Sequence, residues 1–236
     1  MRLIALETAT EACSAALWLD GDLRWLLERS AARRHGELIL NQVDRLLAEA
    51  GLAPTQLDAV AVGRGPGAFT GVRLGLGVAQ GLAFAIDRPV VPVSTLAALA
   101  QQGADRGAEE ILALLDARMA EVYWALLEVG PDGLVVSGEE RISAPDRVRV
   151  SWSRPRRMAL GSGAALCTEV LRDLGLADAD VDPAALPCAR EVALLGAAAY
   201  ARGGAVSAER AQPVYLRDRV AEPKTASAAG GTEFRG

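Results

Sequence analysis

A glycine-rich segment at residues 63–75, GRGPGAFTGVRLG, has the residue types that could bind an anion. It joins an apolar run to a helical pattern, and free backbone N–H groups at a helix N-terminus attract phosphate. A Walker-type nucleotide site needs a lysine directly after its glycine loop, whereas here Val72 follows Gly71. The single lysine of the chain, Lys224, is far away in sequence. The segment therefore lacks the side chain that such a hydrolase requires.

The same glycines match a dinucleotide fingerprint, G-x-G-x-x-A, from Gly63 to Ala68, with Asp87 at the distance of a ribose-binding acid. However, Pro66 and Gly67 stand where the helix of that site should begin, and the loop follows the fourth predicted strand rather than the first. We therefore interpret the segment as a tight strand-to-helix turn whose glycines permit positive φ and close packing.

Other residue types able to do chemistry are scarce. His35 is the only histidine, so a site built on paired histidines is excluded, and no nucleophile and orienting acid can be assigned to it. Cys13, Cys167 and Cys188 form no CxxC pair, which indicates buried thiols in a reducing compartment. We predict no catalytic, cofactor-binding or metal-binding residue.

The composition indicates a folded protein with an acidic surface. The chain has 236 residues, 51% of them hydrophobic, and a formal net charge of -5. That charge disfavours the whole surface as a polyanion binder. Residues 141–157 differ, with six arginines (141, 147, 149, 154, 156 and 157) against Asp146. Such a run is more often a solvated face, and contact with RNA is the alternative. Without a signal-peptide pattern or a long apolar run, we expect a soluble cytoplasmic protein.

Hydrophobic periodicity and turn residues predict two α/β lobes. In the first, at residues 1–102, strands at 2–8, 12–19 and 23–29 precede a helix at 37–50, a strand at 57–63, a helix at 70–86, a strand at 89–93 and a helix at 94–102. This order is that of a ribonuclease H-like unit. A smaller lobe at 103–222 has strands at 110–116, 120–129, 133–142 and 157–161 and helices at 164–174 and 190–202. Residues 223–236 are predicted to be a disordered tail.

The helix at 70–86 has glycines on several sides, which implies close neighbours on more than one face. On a helical wheel, Gly71, Gly75, Val78, Leu82 and Ile86 fall together and are predicted to cover the sheet. Residues of the opposite side and of the helix at 37–50 are predicted to form a partner interface. That interface comprises Ile39, Val43, Leu46, Leu47, Arg73, Leu76, Gly77, Gln80 and Phe84.

Four motifs give the chain a resemblance to the TsaB family, also called YeaZ. They are LIALETATEACS at residues 3–14, GPGAFTGVRLG at 65–75, DAR at 116–118 with EVY at 121–123, and PVYLR at 213–217. The second motif is the most specific. The chain departs from the family pattern at Glu7, where aspartate is usual, and at Ala68, where serine is usual.

The resemblance implies an actin-like (ASKHA) α/β fold with two ribonuclease H-like lobes. It also implies a non-catalytic subunit of the machinery that makes threonylcarbamoyladenosine in tRNA, without a cofactor of its own. The implied partners are a TsaD-type transferase, a TsaE-type ATPase and, in isolation, a second copy of the chain, whereas tRNA is reached only through the complex. Two rivals remain: an active enzyme of this fold, either a small-molecule kinase or a metallopeptidase, and a homodimeric scaffold unrelated to tRNA.

Overall fold

Two mixed β-sheets organise the chain in a computed structural model that describes residues 1–29, 34–136 and 138–217. The predicted tail at 223–236 lies outside these residues. The first sheet contains β1 (Arg2–Glu7), β2 (Cys13–Leu19), β3 (Asp22–Glu28), β4 (Ala59–Gly63) and β5 (Val90–Val93). The second contains β6 (Glu110–Arg118), β7 (Glu121–Val129), β8 (Val135–Val136), β9 (Arg141–Ser143), β10 (Arg157–Leu160) and β11 (Val181–Asp182). The helices are α1 (His35–Ala50), α2 (Phe69–Ala85), α3 (Thr95–Asp105), α4 (Thr168–Asp173) and α5 (Ala189–Ala201).

The two sheets have the same topology. The first has the order β3-β2-β1-β4-β5, and the second has β8-β7-β6-β10-β11 with β9 also paired to β7. In both, the opening hairpin is antiparallel and the last two strands run parallel to the first. This repeated arrangement confirms the prediction of two ribonuclease H-like lobes in an actin-like α/β fold.

Successive side chains of each strand point to opposite faces of the sheet, which divides the core into layers. In β1, Leu3 and Ala5 point into an inner cluster shared by both sheets, whereas Ile4 and Leu6 point to an outer cluster under α1 and α2. Alternate residues of β6 and β7 likewise face a third cluster, on the outer side of the second sheet, which α4 helps to cover. The layers are therefore outer helices, first sheet, inner helices, second sheet and an outer cover.

The two inner helices exchange lobes. Helix α3 belongs to the first lobe by sequence, but it packs on the second sheet, where a Cβ at Gly103 would lie 2.7 Å from Ile111. Helix α5 lies within the predicted second lobe, but it packs on the first sheet, where a Cβ at Gly196 would lie 2.8 Å from Ala61. The chain then returns to the first sheet through a bridge between Val90 and Val206. The predicted boundary at 102 falls within α3, and the one at 222 lies outside the described residues.

Local details confirm some predicted elements and correct others. Gly51 ends α1 in the left-handed conformation with φ 66°, and the Ser94 side chain caps α3 by accepting from Ala97 N. The strand predicted at 133–142 is instead the separate β8 and β9, and the helix predicted at 164–174 is a 3-10 helix (Ser162–Leu166) followed by α4. Among the described residues, no helix is long and apolar enough to cross a membrane.

Candidate functional site

The glycine loop between β4 and α2 packs against the chain's own backbone. A Cβ at Gly71 would lie 2.1 Å from the carbonyl oxygen of Thr8, and one at Gly67 would lie 2.5 Å from that of Ala9. Ala68 N donates to Ala9 O over 2.7 Å, and Gly65 N donates to the hydroxyl of Thr95 over 3.2 Å. These glycines therefore permit close approach of the β1–β2 turn, and at least two N–H groups of the loop are already bonded to the protein.

Glu7 is buried behind this loop, away from solvent. One carboxylate oxygen accepts from Ala9 N over 2.7 Å, and the other accepts from the Thr95 hydroxyl over 3.1 Å. Burial raises the pKa of Glu7 from 4.5 to about 7, although these hydrogen bonds act in the opposite direction. The side chain thus ties the end of β1 to the start of α3.

A cleft of about 580 Å³ lies between the lobes, at the carboxyl ends of β1, β4, β6 and β10. Its wall includes Thr10, Phe69, Asp116, Tyr215 and Arg217. The cleft carboxylate of Asp116 forms an ion pair with Arg118 at 3.0 Å, and the Arg217 guanidinium binds Glu121. The carboxylates of Asp116 and Glu121 are therefore held by arginines of the same chain.

His35 and the cysteines have structural contacts. His35 Nε2 lies 2.9 Å from the carbonyl oxygen of Thr10, so this nitrogen carries the proton and donates. Burial raises the pKa of Cys13, Cys167 and Cys188 to about 11, which keeps the thiols protonated at neutral pH. Across residues 1–29, 34–136 and 138–217, no three His, Cys, Asp or Glu side chains are grouped so that they could hold a metal ion.

Helix α2 presents an exposed face that carries aromatic and basic groups. The exposed fraction is 51% for Phe69 and 76% for Phe84. The Arg73 guanidinium lies 3.3 Å over the Phe69 ring, and its Nε donates to the Tyr215 hydroxyl over 2.8 Å. Between the aromatics, a Cβ at Gly77 would meet no atom within 4 Å. We call Phe69, Arg73, Gly77 and Phe84, with Tyr215 beside them, the α2 face.

The predicted interface residues divide into exposed, bound and buried groups. Arg73, Gly77 and Phe84 are exposed. Gln80 is half-buried, and its amide donates to the carbonyl oxygens of Ala208 and Ala211 over 2.9 and 3.0 Å. The remaining residues lie in the outer core cluster of this chain, which corrects their placement on the surface: Ile39, Val43, Leu46, Leu47 and Leu76.

The burial of these five residues has a simple physical cause. Helix α1 is amphipathic, and its apolar arc covers the sheet rather than solvent. In α2, Leu76 points inward next to Gly75, where a Cβ would lie 2.4 Å from the Thr8 hydroxyl. Sequence reasoning missed two exposed aromatics, Phe69 and Tyr215, although both lie inside the quoted motifs.

Comparison with known proteins places this geometry in a family. The family model described as "TsaD: tRNA N6-adenosine threonylcarbamoyltransferase" matches residues 28–225. An Escherichia coli protein named tRNA threonylcarbamoyladenosine biosynthesis protein TsaB is 41% identical over 95% of this chain and 98% of its own length. The Haemophilus influenzae protein of the same name is 39% identical over 93% and 95%. The chain belongs to the TsaB family.

A solved structure of the TsaB (YeaZ) family agrees with this fold. A solved structure of YeaZ from Pseudomonas aeruginosa has a TM-score of 0.84 and 43% identity, covering 91% of this chain and 99% of that one. A second structure from the same organism, described as similar to the peptidase YEAZ, has the same score and identity over 92% and 99%. The TsaB assignment therefore covers both lobes.

Proposed function

We propose that this chain is a non-catalytic subunit required to form N6-threonylcarbamoyladenosine in tRNA. In this role it pairs with a TsaD-type transferase and activates it together with a TsaE-type ATPase in the cytoplasm. The names of the full-length relatives support the pathway, because both are tRNA threonylcarbamoyladenosine biosynthesis proteins. The matching family model, named for the transferase, supports a partner of the same fold.

The contacts of Glu7, His35 and Asp116 support the proposal that this subunit catalyses no reaction of its own. Glu7 is buried and bonded to Ala9 and Thr95, and His35 is bonded to the carbonyl oxygen of Thr10. A general acid or base has to reach the reacting group, and both side chains are instead hydrogen-bonded to other groups of this chain. The carboxylate of Asp116 in the cleft is held by Arg118.

The composition of the α2 face is the main structural support for pairing with a partner protein. Aromatic residues and arginine are enriched at the centres of protein interfaces, and this face combines Phe69, Phe84 and Arg73. The open space above Gly77 lets a second helix approach the backbone closely. We propose that this face binds the TsaD-type partner and, in isolation, a second copy of the chain.

The two alternative functions predict different experimental results. A metallopeptidase, suggested by the description of the Pseudomonas aeruginosa structure, or a small-molecule kinase would show turnover with the isolated chain. A homodimeric scaffold unrelated to tRNA would leave the modified nucleoside unchanged on depletion. We expect the isolated chain to hydrolyse neither ATP nor peptides.

A depletion strain tests the proposed function. Nucleoside analysis of its tRNA should show reduced threonylcarbamoyladenosine, which the wild-type chain restores. In the same cells, a tagged chain with Phe84→Asp should no longer co-purify the TsaD-type protein. Val136→Asp is the matched control, because it places the same charge on another exposed apolar residue, in β8. Unchanged nucleoside levels on depletion would remove the proposed function.

A further inference from the structure

The segment at residues 144–157 reverses the charge balance of the chain. It contains five arginines and one aspartate, although the whole chain has a formal net charge of -5. Its side chains alternate, with Val148, Val150 and Trp152 packed into the outer cluster of the second sheet. Arg147 and Arg149, on either side of Val148, are exposed, as is Arg154 farther along the segment. We call Arg147, Arg149 and Arg154 the arginine strip.

A buried carboxylate holds the strip in place. Glu110, at the start of β6, is almost fully buried and accepts hydrogen bonds from Ser153 N over 2.7 Å, from the Ser153 hydroxyl over 2.8 Å and from Arg154 N over 2.7 Å. The backbone is further held by Glu109 N, which donates to Arg156 O over 2.7 Å. A surface fixed in this way loses less conformational entropy when it binds.

The strip is also short of acidic partners. In the described part of the chain, no carboxylate lies within ion-pair distance of its three guanidinium groups. Arg149 donates to the carbonyl oxygens of Asp146 and Val148 over 2.6 and 2.9 Å. The nearby Glu109 is bound by Arg156 at 3.2 Å, and its pKa is lowered mainly by that hydrogen bond and less by the charge of Arg154. Within the described residues, the positive charge of the strip is therefore not neutralised by a carboxylate in an ion pair.

The location of the strip suits an extended anion. It lies on the outer side of the second sheet, whereas the α2 face lies on the outer side of the first, so a protein on that face leaves the strip open. From Arg147 to Arg154 an extended chain spans at most about 25 Å, long enough to follow several phosphates. Arginine forks bind phosphate oxygens in bidentate geometry.

We propose that the arginine strip binds the phosphate backbone of the tRNA substrate. The choice of RNA rests on the proposed function, since tRNA is the polyanion on which that pathway acts. The strip contacts phosphates and not bases, so it contributes affinity and orientation rather than sequence choice. The chain thus has a direct contact with RNA in addition to its contact with the transferase.

Salt-dependent binding tests the strip. The full-length chain, alone and with its TsaD-type partner, is titrated into an unmodified tRNA transcript from about 50 mM to about 200 mM salt, with fluorescence anisotropy as the readout. R147Q/R149Q/R154Q should weaken binding about tenfold or more and lower the salt slope by about 2, because up to three phosphate contacts are lost. R147K/R149K/R154K retains the charges and should keep most of the slope.

The matched control is R24Q/R29Q/R202Q, which removes three exposed arginines from other parts of the surface. It should change the dissociation constant by less than about twofold, because phosphate contacts act locally. Circular dichroism checks that all variants are folded. Equal binding by the strip variant and the wild type would overturn the proposal, as would a wild type that does not bind tRNA at the lowest salt.

A third result would also overturn the proposal. If the strip variant keeps its tRNA affinity but loses the TsaD-type partner, the strip is a protein contact. The outcome is separable from that of the proposed function, which is decided by nucleoside analysis after depletion. If depletion leaves the nucleosides unchanged but tRNA binding depends on the strip, the proposed function is wrong and the tRNA contact of the strip is supported. If depletion lowers threonylcarbamoyladenosine but the strip variant binds tRNA as the wild type does, the proposed function is supported and the tRNA contact is wrong.

Discussion

The two lobes share a strand order but cover their outer faces differently. The first sheet is covered by the long helices α1 and α2, and α2 leaves aromatic side chains and an open glycine at its surface. The second sheet is covered by the short α4 and an irregular segment that carries arginines. The same topology thus supports two surfaces of different chemistry: one suited to a protein helix and one suited to a polyanion.

We expect the largest difference in folding stability between substitutions of two glycines on opposite sides of α2. Gly75→Leu should destabilise the fold by about 3 kcal/mol, the upper end of the typical cost of overpacking. A Cβ there would lie 2.4 Å from the Thr8 hydroxyl, whereas one at Gly77 would meet nothing within 4 Å. Gly77→Leu should therefore leave urea unfolding almost unchanged. Equal losses of stability would show that both sides of α2 are packed within the chain.

Glu7 gives the first lobe a dependence of stability on pH. Its pKa is raised to about 7 in the folded state, so that state binds more protons than the unfolded chain between pH 4.5 and about 7. Stability should therefore fall as pH rises through this window, by up to roughly 3 kcal/mol from Glu7.

Glu7→Gln removes this titration. Burial also raises the pKa of Glu191, which changes stability in the same direction. The variant should therefore show a shallower slope rather than none when the free energy of unfolding is measured across this pH range. Equal slopes for the wild type and Glu7→Gln would contradict a raised pKa for the buried Glu7.

Glu110 tests the cover of the second lobe. Glu110→Gln places an amide where the carboxylate accepts three hydrogen bonds from Ser153 and Arg154, and it should cost about 2 kcal/mol. It should also expose residues 144–157 to limited proteolysis. Glu109→Gln is the control, because Glu109 is only half-buried and its ion pair with the exposed Arg156 should contribute much less to stability. Similar losses in both variants would show that Glu110 does not anchor the segment.

Gln80 should give the smallest of these effects. Its amide holds the chain after Val206 against α2 through the carbonyl oxygens of Ala208 and Ala211. Gln80→Ala should cost about 1 kcal/mol in thermal unfolding, since the residue is half-buried and a neutral hydrogen bond contributes little net free energy. A loss as large as that of Gly75→Leu would mean that the returning segment is part of the central core.

The sequence predicted the elements of the first lobe well because each combines a clear period with a turn residue, such as Gly51 after α1. It predicted the second lobe less well, since β8, β9 and α4 are short and their limits depend on tertiary packing. The exchange of α3 and α5 between the sheets is a tertiary arrangement that local periodicity does not encode.

The candidate site was predicted in part for the same reason. Both sides of α2 carry small residues, so a helical wheel identified Gly77 and Phe84 as exposed but also assigned Leu76 to that side. The apolar arc of α1 was assigned to a partner interface, but it packs on the sheet of the same chain, as is usual for an amphipathic helix. Tyr215 reaches Arg73 from far along the chain, a contact that only folding creates.

In our proposal, the α2 face serves threonylcarbamoyladenosine formation by binding a protein partner. The most direct measurement is the threonylcarbamoyladenosine content of tRNA in a depletion strain that expresses Gly77→Phe, with Gly77→Ala as the control. Gly77 is open to solvent, so both variants should fold. We expect the alanine variant to restore the modification and the phenylalanine variant to fail to restore it. Full restoration by a folded, normally expressed phenylalanine variant would contradict the proposal.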